Sequence, residues 1–183
     1  MIDFIEVYDD VLSSNQCKEI IEYIDSKELV KGTFYGAAID PEIKDCWQVP
    51  SVRFSRKIVP SVYLKRVLDE CVERYWSTHS QIKNLSAWGL DNGYNLQKYN
   101  PGQAYFKSHC ENANKRSHRM LVWTVYLNTV TDGGGTYYEN YDRTLDAVEG
   151  RCVLWPPYWT HHHNGIVSNT QTKYIATGWF NYT

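Results

Sequence analysis

The spacing of apolar residues predicts two amphipathic helices in the N-terminal half of the chain. A short apolar strand is predicted at residues 2–8, and polar residues at 13–16 are typical of a helix start. Apolar residues then recur at helical spacing at Cys17, Ile20, Ile21 and Ile24. The same period predicts a second helix over residues 61–79, with charged residues on its outer face. Between the helices the pattern has no sustained period, which predicts loops and one strand near residues 52–59.

After about residue 86 the pattern changes to short, alternating, aromatic-rich segments separated by turn signals. These predict eight strands at residues 94–99, 104–111, 119–128, 135–139, 145–148, 151–155, 159–163 and 172–182. Such a series is typical of a sandwich, barrel or jelly roll. We therefore predict a mostly β, α+β fold in which the N-terminal helices pack on the outside of the β body. Because no linker or repeat interrupts the chain, residues 1–183 are predicted to form one domain.

The composition of the chain indicates which binding partners and which cellular compartment are expected. Aromatic residues make up 15% of the chain, which favours strands, and the formal net charge is only −2. A chain with so little charge has no field that would hold it on nucleic acid or an anionic membrane, so neither partner is expected. The start of the chain lacks a secretory signal, and five cysteines without a CxxC pair are typical of reduced thiols. A cytoplasmic location is therefore expected.

Candidate metal chemistry begins with a histidine and a glutamate two residues apart. Alternate side chains of a strand share a face, so His109 and Glu111 project together from the predicted strand 104–111. An imidazole and a carboxylate in this arrangement can chelate one metal ion. Taken alone, such a pair is more often a chance feature of a strand, so a metal site needs a third ligand.

Three consecutive histidines at the end of the predicted strand 159–163 supply candidates for that ligand. Alternation places His161 and His163 on one face and His162 on the other. An incidental polyhistidine stretch is the alternative interpretation. Two histidines and one carboxylate form the facial triad of non-haem Fe(II) oxygenases, which leaves coordination positions open for a cosubstrate and O₂.

A lysine in an otherwise aromatic and aliphatic strand indicates a binding site for an anion. Lys173 follows His163 within the predicted strand 172–182, and a buried ammonium costs several kcal/mol unless an anion or hydrogen bonds compensate for it. The alternative is an exposed lysine that protects an edge strand against aggregation. Beside a metal triad the anion interpretation is preferable, because a dicarboxylate can chelate the metal at one end and meet Lys173 at the other.

The order of these and other motifs is that of a known family. The sequence resembles the 2-oxoglutarate- and Fe(II)-dependent oxygenases of the prolyl 4-hydroxylase-like superfamily, most closely its short, single-domain bacterial and phage members. The resemblance covers nearly the whole chain. The motifs that carry it are 4–13 with Cys17, 96–105, His109-Cys-Glu111, Arg119, 124–128, 134–136, Glu149-Gly150, Pro157, Trp159-Thr160, His163-Asn-Gly165, Lys173 and Trp179.

The resemblance implies a fold, a set of cofactors and roles for eight residues. The fold is a double-stranded β-helix, or jelly roll, with the helices on one sheet, and the cofactors and cosubstrates are Fe(II), 2-oxoglutarate and O₂. Matched positions imply iron ligation by His109, Glu111 and His163, 2-oxoglutarate binding by Lys173, Tyr99 and Tyr126, and substrate contact by Arg119 and Trp179. His161 remains the alternative third ligand. No catalytic side chain beyond the metal ligands is required.

The implied function is hydroxylation of a C–H bond with release of succinate and CO₂. Peptidyl proline is one candidate substrate, and free amino acids or other small molecules are the others. The alternative class is a non-catalytic β-sandwich module that binds a ligand on its aromatic residues, and oxidative demethylation of nucleic acid is disfavoured by the acidic balance and by lysine at position 173.

Two departures from the family pattern concern the carboxylate and the substrate. Glu111 stands where collagen-type prolyl hydroxylases have aspartate. The segment 112–118 leaves little room for a peptide-gripping insertion, so residues 34–47 are the candidate lid.

Overall fold

The computed structural model describes residues 2–34, 38–113 and 116–183. Within them are two α-helices, α1 (Ser14–Asp25) and α2 (Val59–Thr78). The strands are β1 (Glu6–Tyr8), β2 (Val30–Lys31), β3 (Trp47–Gln48), β4 (Val52–Arg53), β5 (Trp88–Tyr99), β6 (Arg119–Tyr126), β7 (Thr136–Tyr138), β8 (Arg143–Leu145), β9 (Cys152–Trp155), β10 (His163–Gly165) and β11 (Lys173–Tyr182). Short 3₁₀ turns occupy Ser80–Asn84, Glu139–Tyr141 and Trp159–His161.

The strands form two antiparallel sheets that enclose a layer of aromatic side chains. The larger sheet has the order β1-β9-β6-β11-β5-β3-β2, with β4 also paired to β5, and the smaller sheet has the order β10-β7-β8. Tyr99, Tyr126 and Ile175 of the larger sheet share one core cluster with Tyr138 and Leu145 of the smaller one. This arrangement is the predicted mostly β jelly roll.

The helices cover the outer face of the larger sheet, as the sequence predicts. Helix α1 begins with a capping box in which the Ser13 hydroxyl accepts from the backbone of Gln16, while the Gln16 side chain accepts from the backbone of Ser13. Both helices place their apolar faces in a second core cluster with residues of β5, β6, β9 and β11. No helix in the described ranges is long and apolar enough to cross a membrane.

Two predicted strands are wrong in the structure. Residues 104–111 make only isolated bridges, at Tyr105 and His109, because their backbone N–H groups donate to acceptors on separate segments, among them Ile43, Pro157 and His163. No continuous ladder can form under those conditions. Residues 159–161 form a 3₁₀ turn, so the strand that carries His163 begins at that residue. Strands β2 and β3, of two residues each, were not predicted.

A glycine in the central strand β11 leaves room for the buried indole of Trp123. A Cβ at Gly178 would lie 2.7 Å from the nearest Trp123 ring atom, closer than van der Waals contact permits. We expect Gly178→Ala to lower the free energy of unfolding by about 1–3 kcal/mol, because a packed core absorbs an added methyl group only by displacing its neighbours. Urea unfolding measures the change. Gly89→Ala on β5 is the matched control, since its Cβ meets nothing within 4 Å; an equal effect of both variants would contradict the overpacking argument.

Candidate active site

All eight residues singled out in the sequence line one cavity between the two sheets. Its volume is about 290 Å³, close to the lower end of small-molecule sites. The strands position six of them. Tyr99 ends β5, Arg119 and Tyr126 begin and end β6, His163 begins β10, and Lys173 and Trp179 lie on β11. The full set is His109, Glu111, His163, Lys173, Tyr99, Tyr126, Arg119 and Trp179.

His109, Glu111 and His163 bring three ligand atoms together at one point of this cavity. The atoms all lie within 4.8 Å of one another, and the cluster is largely buried. A pair of backbone hydrogen bonds between His109 and His163, of 2.9 and 3.0 Å, fixes the two histidines side by side. The two histidines, 54 positions apart, are therefore brought together by backbone pairing between two segments. The strand alternation from which the His-x-Glu pair was predicted is not what forms the cluster.

Both histidines present the same ring nitrogen to the cluster. The Nδ1 atom of His109 lies 2.9 Å from the carbonyl oxygen of Lys107, and that of His163 lies 2.9 Å from the carbonyl oxygen of His161. A carbonyl oxygen only accepts, so each Nδ1 carries a hydrogen and each Nε2 is the ring nitrogen turned toward Glu111. This outer contact orients a histidine as a metal ligand.

The two oxygens of Glu111 have different surroundings. Oε1 lies 3.3 Å from Nε2 of His109 and 3.9 Å from Nε2 of His163. Oε2 accepts a hydrogen bond of 2.5 Å from the Arg119 guanidinium and one of 3.1 Å from the Trp179 indole. One oxygen therefore faces the histidines while the other is held by the protein.

The charges of the cluster suit a divalent metal. Burial alone would raise the pKa of Glu111, but the contact with His109 and the charge of Arg119 hold that pKa well below its usual range. Burial lowers the pKa of His163 to about 3, so its imidazole is neutral at pH 7. Two imidazoles and one carboxylate are the donor set of the non-haem Fe(II) facial triad, so these residues fit the iron that the resemblance implies.

Lys173 is the first residue of β11 and lines the same cavity as the three clustered side chains. Strand β11 is flanked by β5 and β6, and Lys173 is only 5% exposed, so the edge-strand interpretation is wrong. Its ammonium lies 4.4 Å from the centre of the Tyr99 ring, and no carboxylate of the described residues forms an ion pair with it. Burial lowers the pKa of Lys173 to about 8. A buried ammonium without a carboxylate, facing a cavity, is suited to an anionic ligand.

The hydroxyl groups of the two predicted tyrosines are already hydrogen-bonded. Tyr99 donates to Oε1 of Gln97 at 2.9 Å, and the Tyr126 hydroxyl lies 2.7 Å from that of Thr136. Burial raises the pKa of Tyr126 to about 12 and that of Tyr99 well above its usual value, so both remain neutral. They offer hydroxyl groups, not charges, to a ligand beside Lys173.

His161, the alternative third ligand, lies outside the cluster. Its Nε2 contacts the carbonyl oxygen of Asp3 at 2.7 Å, and its ring packs beside Tyr141. This position follows from the 3₁₀ turn, which removes the strand alternation that had placed His161 and His163 on one face.

Several residues that line the cavity were not predicted from the sequence. The ring of Tyr105 stacks on that of His109 at 3.7 Å, and Lys44 is buried beside Tyr105. Gln97 shares a face of β5 with Tyr99, a signal that strand alternation offers. Lys44 lies in an irregular segment with no periodic signal.

The candidate lid, residues 34–47, contributes Phe34 and Lys44 to the cavity wall. Residues 35–37 lie outside the described residues, as do residues 114 and 115 of the short segment 112–118. Movement of this lid stays a prediction.

The comparison with known families agrees with this site. Residues 94–181, which contain all eight predicted site residues, match the sequence profile of the 2OG-Fe(II) oxygenase superfamily. No curated protein sequence matches the chain.

Solved structures of low sequence identity share the fold over almost the entire chain. The viral collagen prolyl hydroxylase of Paramecium Bursaria Chlorella virus-1, solved with 2-oxoglutarate (2OG), has a TM-score of 0.71 at 16% identity, covering 98% of this chain and 96% of its own. A prolyl hydroxylase of Trichoplax adhaerens, solved with a hypoxia inducible factor peptide, gives 0.75 at 16% identity over 98% and 84%. A prolyl-4-hydroxylase of Pseudomonas putida gives 0.73 at 14% identity over 99% and 94%. The resemblance inferred from the sequence is confirmed: residues 94–181 match the 2OG-Fe(II) oxygenase superfamily, and the chain has a prolyl 4-hydroxylase-like fold.

Proposed function

We propose that this dioxygenase hydroxylates a C–H bond of its substrate at an iron held by His109, Glu111 and His163. The observation that carries the proposal is the convergence of two Nε2 atoms and one carboxylate oxygen in a cavity that also contains a buried lysine with no ion-pair partner among the described residues. Three protein ligands leave positions for the cosubstrate and O₂, whereas structural metal sites use four.

We propose further that Lys173 binds the C5 carboxylate of 2-oxoglutarate. The ammonium gains the counter-charge that the described residues do not supply. Tyr126 lines the same cavity, and Tyr99 can hydrogen-bond the carboxylate once its hydroxyl turns away from Gln97. Lys173 thereby sets the orientation of the cosubstrate relative to the three metal ligands.

The protein's own part in the reaction is to bind, orient and shield. Bound Fe(II) and 2-oxoglutarate supply oxygen activation and oxidative decarboxylation to succinate and CO₂. The carbonyl contacts at Nδ1 keep His109 and His163 in their ligand tautomers throughout. The aromatic wall formed by Tyr105, Tyr126 and Trp155 excludes water from the cosubstrate. No side chain needs to act as a general base.

Peptidyl proline is the substrate class that we propose to test first. The solved relatives are prolyl hydroxylases, and one of them was solved with a peptide. Free amino acids and other small molecules are the second class, which the small cavity of about 290 Å³ favours. In either case Arg119 and Trp179 line the cavity as the predicted substrate residues.

The test is turnover with defined substrates. Protein supplied with Fe(II), 2-oxoglutarate and O₂ is incubated with a capped proline-rich peptide or with free proline, and succinate and the substrate mass are measured. A mass gain of one oxygen atom on the peptide, coupled to succinate, supports peptidyl hydroxylation. Coupled oxidation of free proline alone favours the small-molecule class. Absence of iron uptake and of any succinate would favour the non-catalytic binding module instead.

The affinity for 2-oxoglutarate is expected to fall above about pH 8. A carboxylate binds the protonated Lys173, whose pKa is about 8 before the anion arrives, so binding at higher pH must also supply a proton. The dissociation constant should be nearly constant below this pH and rise roughly tenfold per unit above it. A titration of the metal-loaded protein at several pH values measures it. Lys173→Arg keeps its charge over this range, so an equally steep rise in that variant would contradict the assignment.

We also propose that the chain is one cytoplasmic domain that takes a small-molecule cosubstrate and binds neither nucleic acid nor membrane. This proposal rests on the small net charge and on the core clusters shared by helices and strands.

A further inference from the structure

We propose that Arg119 and Trp179 are positioning residues for Glu111, holding one carboxylate oxygen so that the other alone is presented to the metal. The proposal deepens the metal centre proposed above and rests on it. It gives the two residues a role that is independent of the substrate.

The contacts that carry this inference all converge on one residue. Oε2 of Glu111 accepts from Nη1 of Arg119 at 2.5 Å and from Nε1 of Trp179 at 3.1 Å. The same Nη1 of Arg119 also donates to the backbone carbonyl of Glu111 at 3.0 Å. The guanidinium therefore holds both the backbone and the side-chain end of the glutamate. Rotation of the carboxylate toward two-oxygen ligation would break both hydrogen bonds to Oε2.

The two donors also fix each other. The guanidinium carbon of Arg119 lies 3.5 Å from the centre of the Trp179 ring, in cation–π contact. Arg119 begins β6 and Trp179 lies in β11, which pair in the centre of the larger sheet. Donors on neighbouring central strands are held more rigidly than donors on loops. Both hydrogen-bond donors therefore have little freedom to follow the carboxylate if it moves.

Because the Arg119 guanidinium is buried, its ion pair with the Glu111 carboxylate is difficult to break. Arg119 is buried, and its guanidinium keeps its positive charge. Glu111 is the only carboxylate that forms an ion pair with Arg119 within the described ranges of the chain. Leaving this charge without its partner would be strongly unfavourable. The ion pair is thus a fixed part of the site before any metal arrives.

The length of glutamate explains why such a restraint is needed here. Glutamate has one more rotatable bond than the aspartate of collagen-type prolyl hydroxylases, so an unrestrained carboxylate would sample more positions and both ligation modes. The two donors remove this freedom.

Cobalt binding tests the inference without any substrate. Co(II) replaces Fe(II) in the intact protein, and its affinity and visible d–d spectrum are measured for the wild type, Trp179→Phe and Arg119→Gln. Trp179→Phe keeps a six-membered aromatic ring and removes the N–H donor together with the five-membered ring that carries it. We expect it to weaken Co(II) binding about 10- to 100-fold and to alter the d–d spectrum, as loss of an outer-shell partner does.

Arg119→Gln separates positioning from simple charge. Removing a cation near a divalent metal strengthens metal binding if charge alone matters, whereas loss of positioning weakens it. We therefore expect weaker Co(II) binding in this variant too. Trp76→Phe is the matched control, because the buried indole nitrogen of Trp76, on α2, has no hydrogen-bond partner in the part of the chain that the structure describes. It should bind Co(II) like the wild type.

Each outcome decides a separate point. Wild-type Co(II) affinity and spectrum in Trp179→Phe, or tighter binding in Arg119→Gln, would overturn the positioning role and leave the metal centre intact. A wild type that takes up no stoichiometric Co(II) would instead overturn the proposed metal centre itself. Thermal unfolding of the metal-free variants confirms that Trp179→Phe is folded, so that a loss of affinity reports on the carboxylate.

Discussion

Replacement of His163 by alanine is expected to abolish the weak visible charge-transfer band that the wild type develops with Fe(II) and 2-oxoglutarate under anaerobic conditions. The variant removes one of three converging donor atoms. The two that remain, on His109 and Glu111, belong to one short segment and cannot hold the metal from both sides. We expect the loss in Fe(II) affinity to exceed the roughly 100-fold that removal of an outer-shell partner costs. An anaerobic absorbance titration measures both the band and the affinity.

The two neighbouring histidines are built-in controls for this experiment. His162 is partly exposed and stands outside the cluster, so His162→Ala should keep the band. His161 contacts the carbonyl oxygen of Asp3, so His161→Ala should keep the band and lower the stability of the fold. A band that persists in the His163 variant, or is lost only in the His161 variant, would show that the wrong histidine was assigned.

Regular periodicity explains which parts of the fold the sequence predicts well. Both helices have one apolar face that packs on the larger sheet, so their 3.6-residue period is present in the sequence. Strand β6 is buried along its whole length and is similarly evident. The segment 104–111 also alternates, yet its backbone donors reach three separate segments, a long-range property that no local pattern contains. The predicted strand there was wrong for this reason.

In the candidate site too, local sequence patterns predict which residues take part, whereas contacts between distant parts of the chain are not predicted. Strand alternation and motif order select all eight residues that line the cavity. They do not reveal that Trp179 and Arg119 meet on one oxygen of Glu111, because that contact depends on the pairing of β6 with β11. Lys44 was missed because it sits in an irregular segment that reaches the cavity through an isolated bridge to Tyr105.

The lysine at the start of β11 carries the second large expected effect. Lys173→Met should weaken 2-oxoglutarate binding about 10- to 150-fold, because a hydrogen bond to a charged group contributes about 1.5–3 kcal/mol. Methionine keeps much of the length and removes the charge, so the cavity wall stays filled. The dissociation constant is read from the Fe(II)–2-oxoglutarate band in an anaerobic titration.

Lys173→Met is expected to weaken 2-oxoglutarate binding without lowering the stability of the fold. These two effects together make the test specific. Burial lowers the pKa of Lys173, so the charged ammonium destabilises the ligand-free fold at pH 7. Lys173→Met should therefore unfold at an equal or higher urea concentration than the wild type.

Lys98→Met is the matched control for both measurements. Lys98 projects from the other face of β5, where it pairs with Asp25, so its replacement should leave 2-oxoglutarate affinity unchanged. A Lys173 variant that binds 2-oxoglutarate as tightly as the wild type would show that the ammonium does not contact the cosubstrate. One that loses both affinity and stability would show that Lys173 acts on the fold, because a group kept only for its ligand costs stability when the ligand is absent.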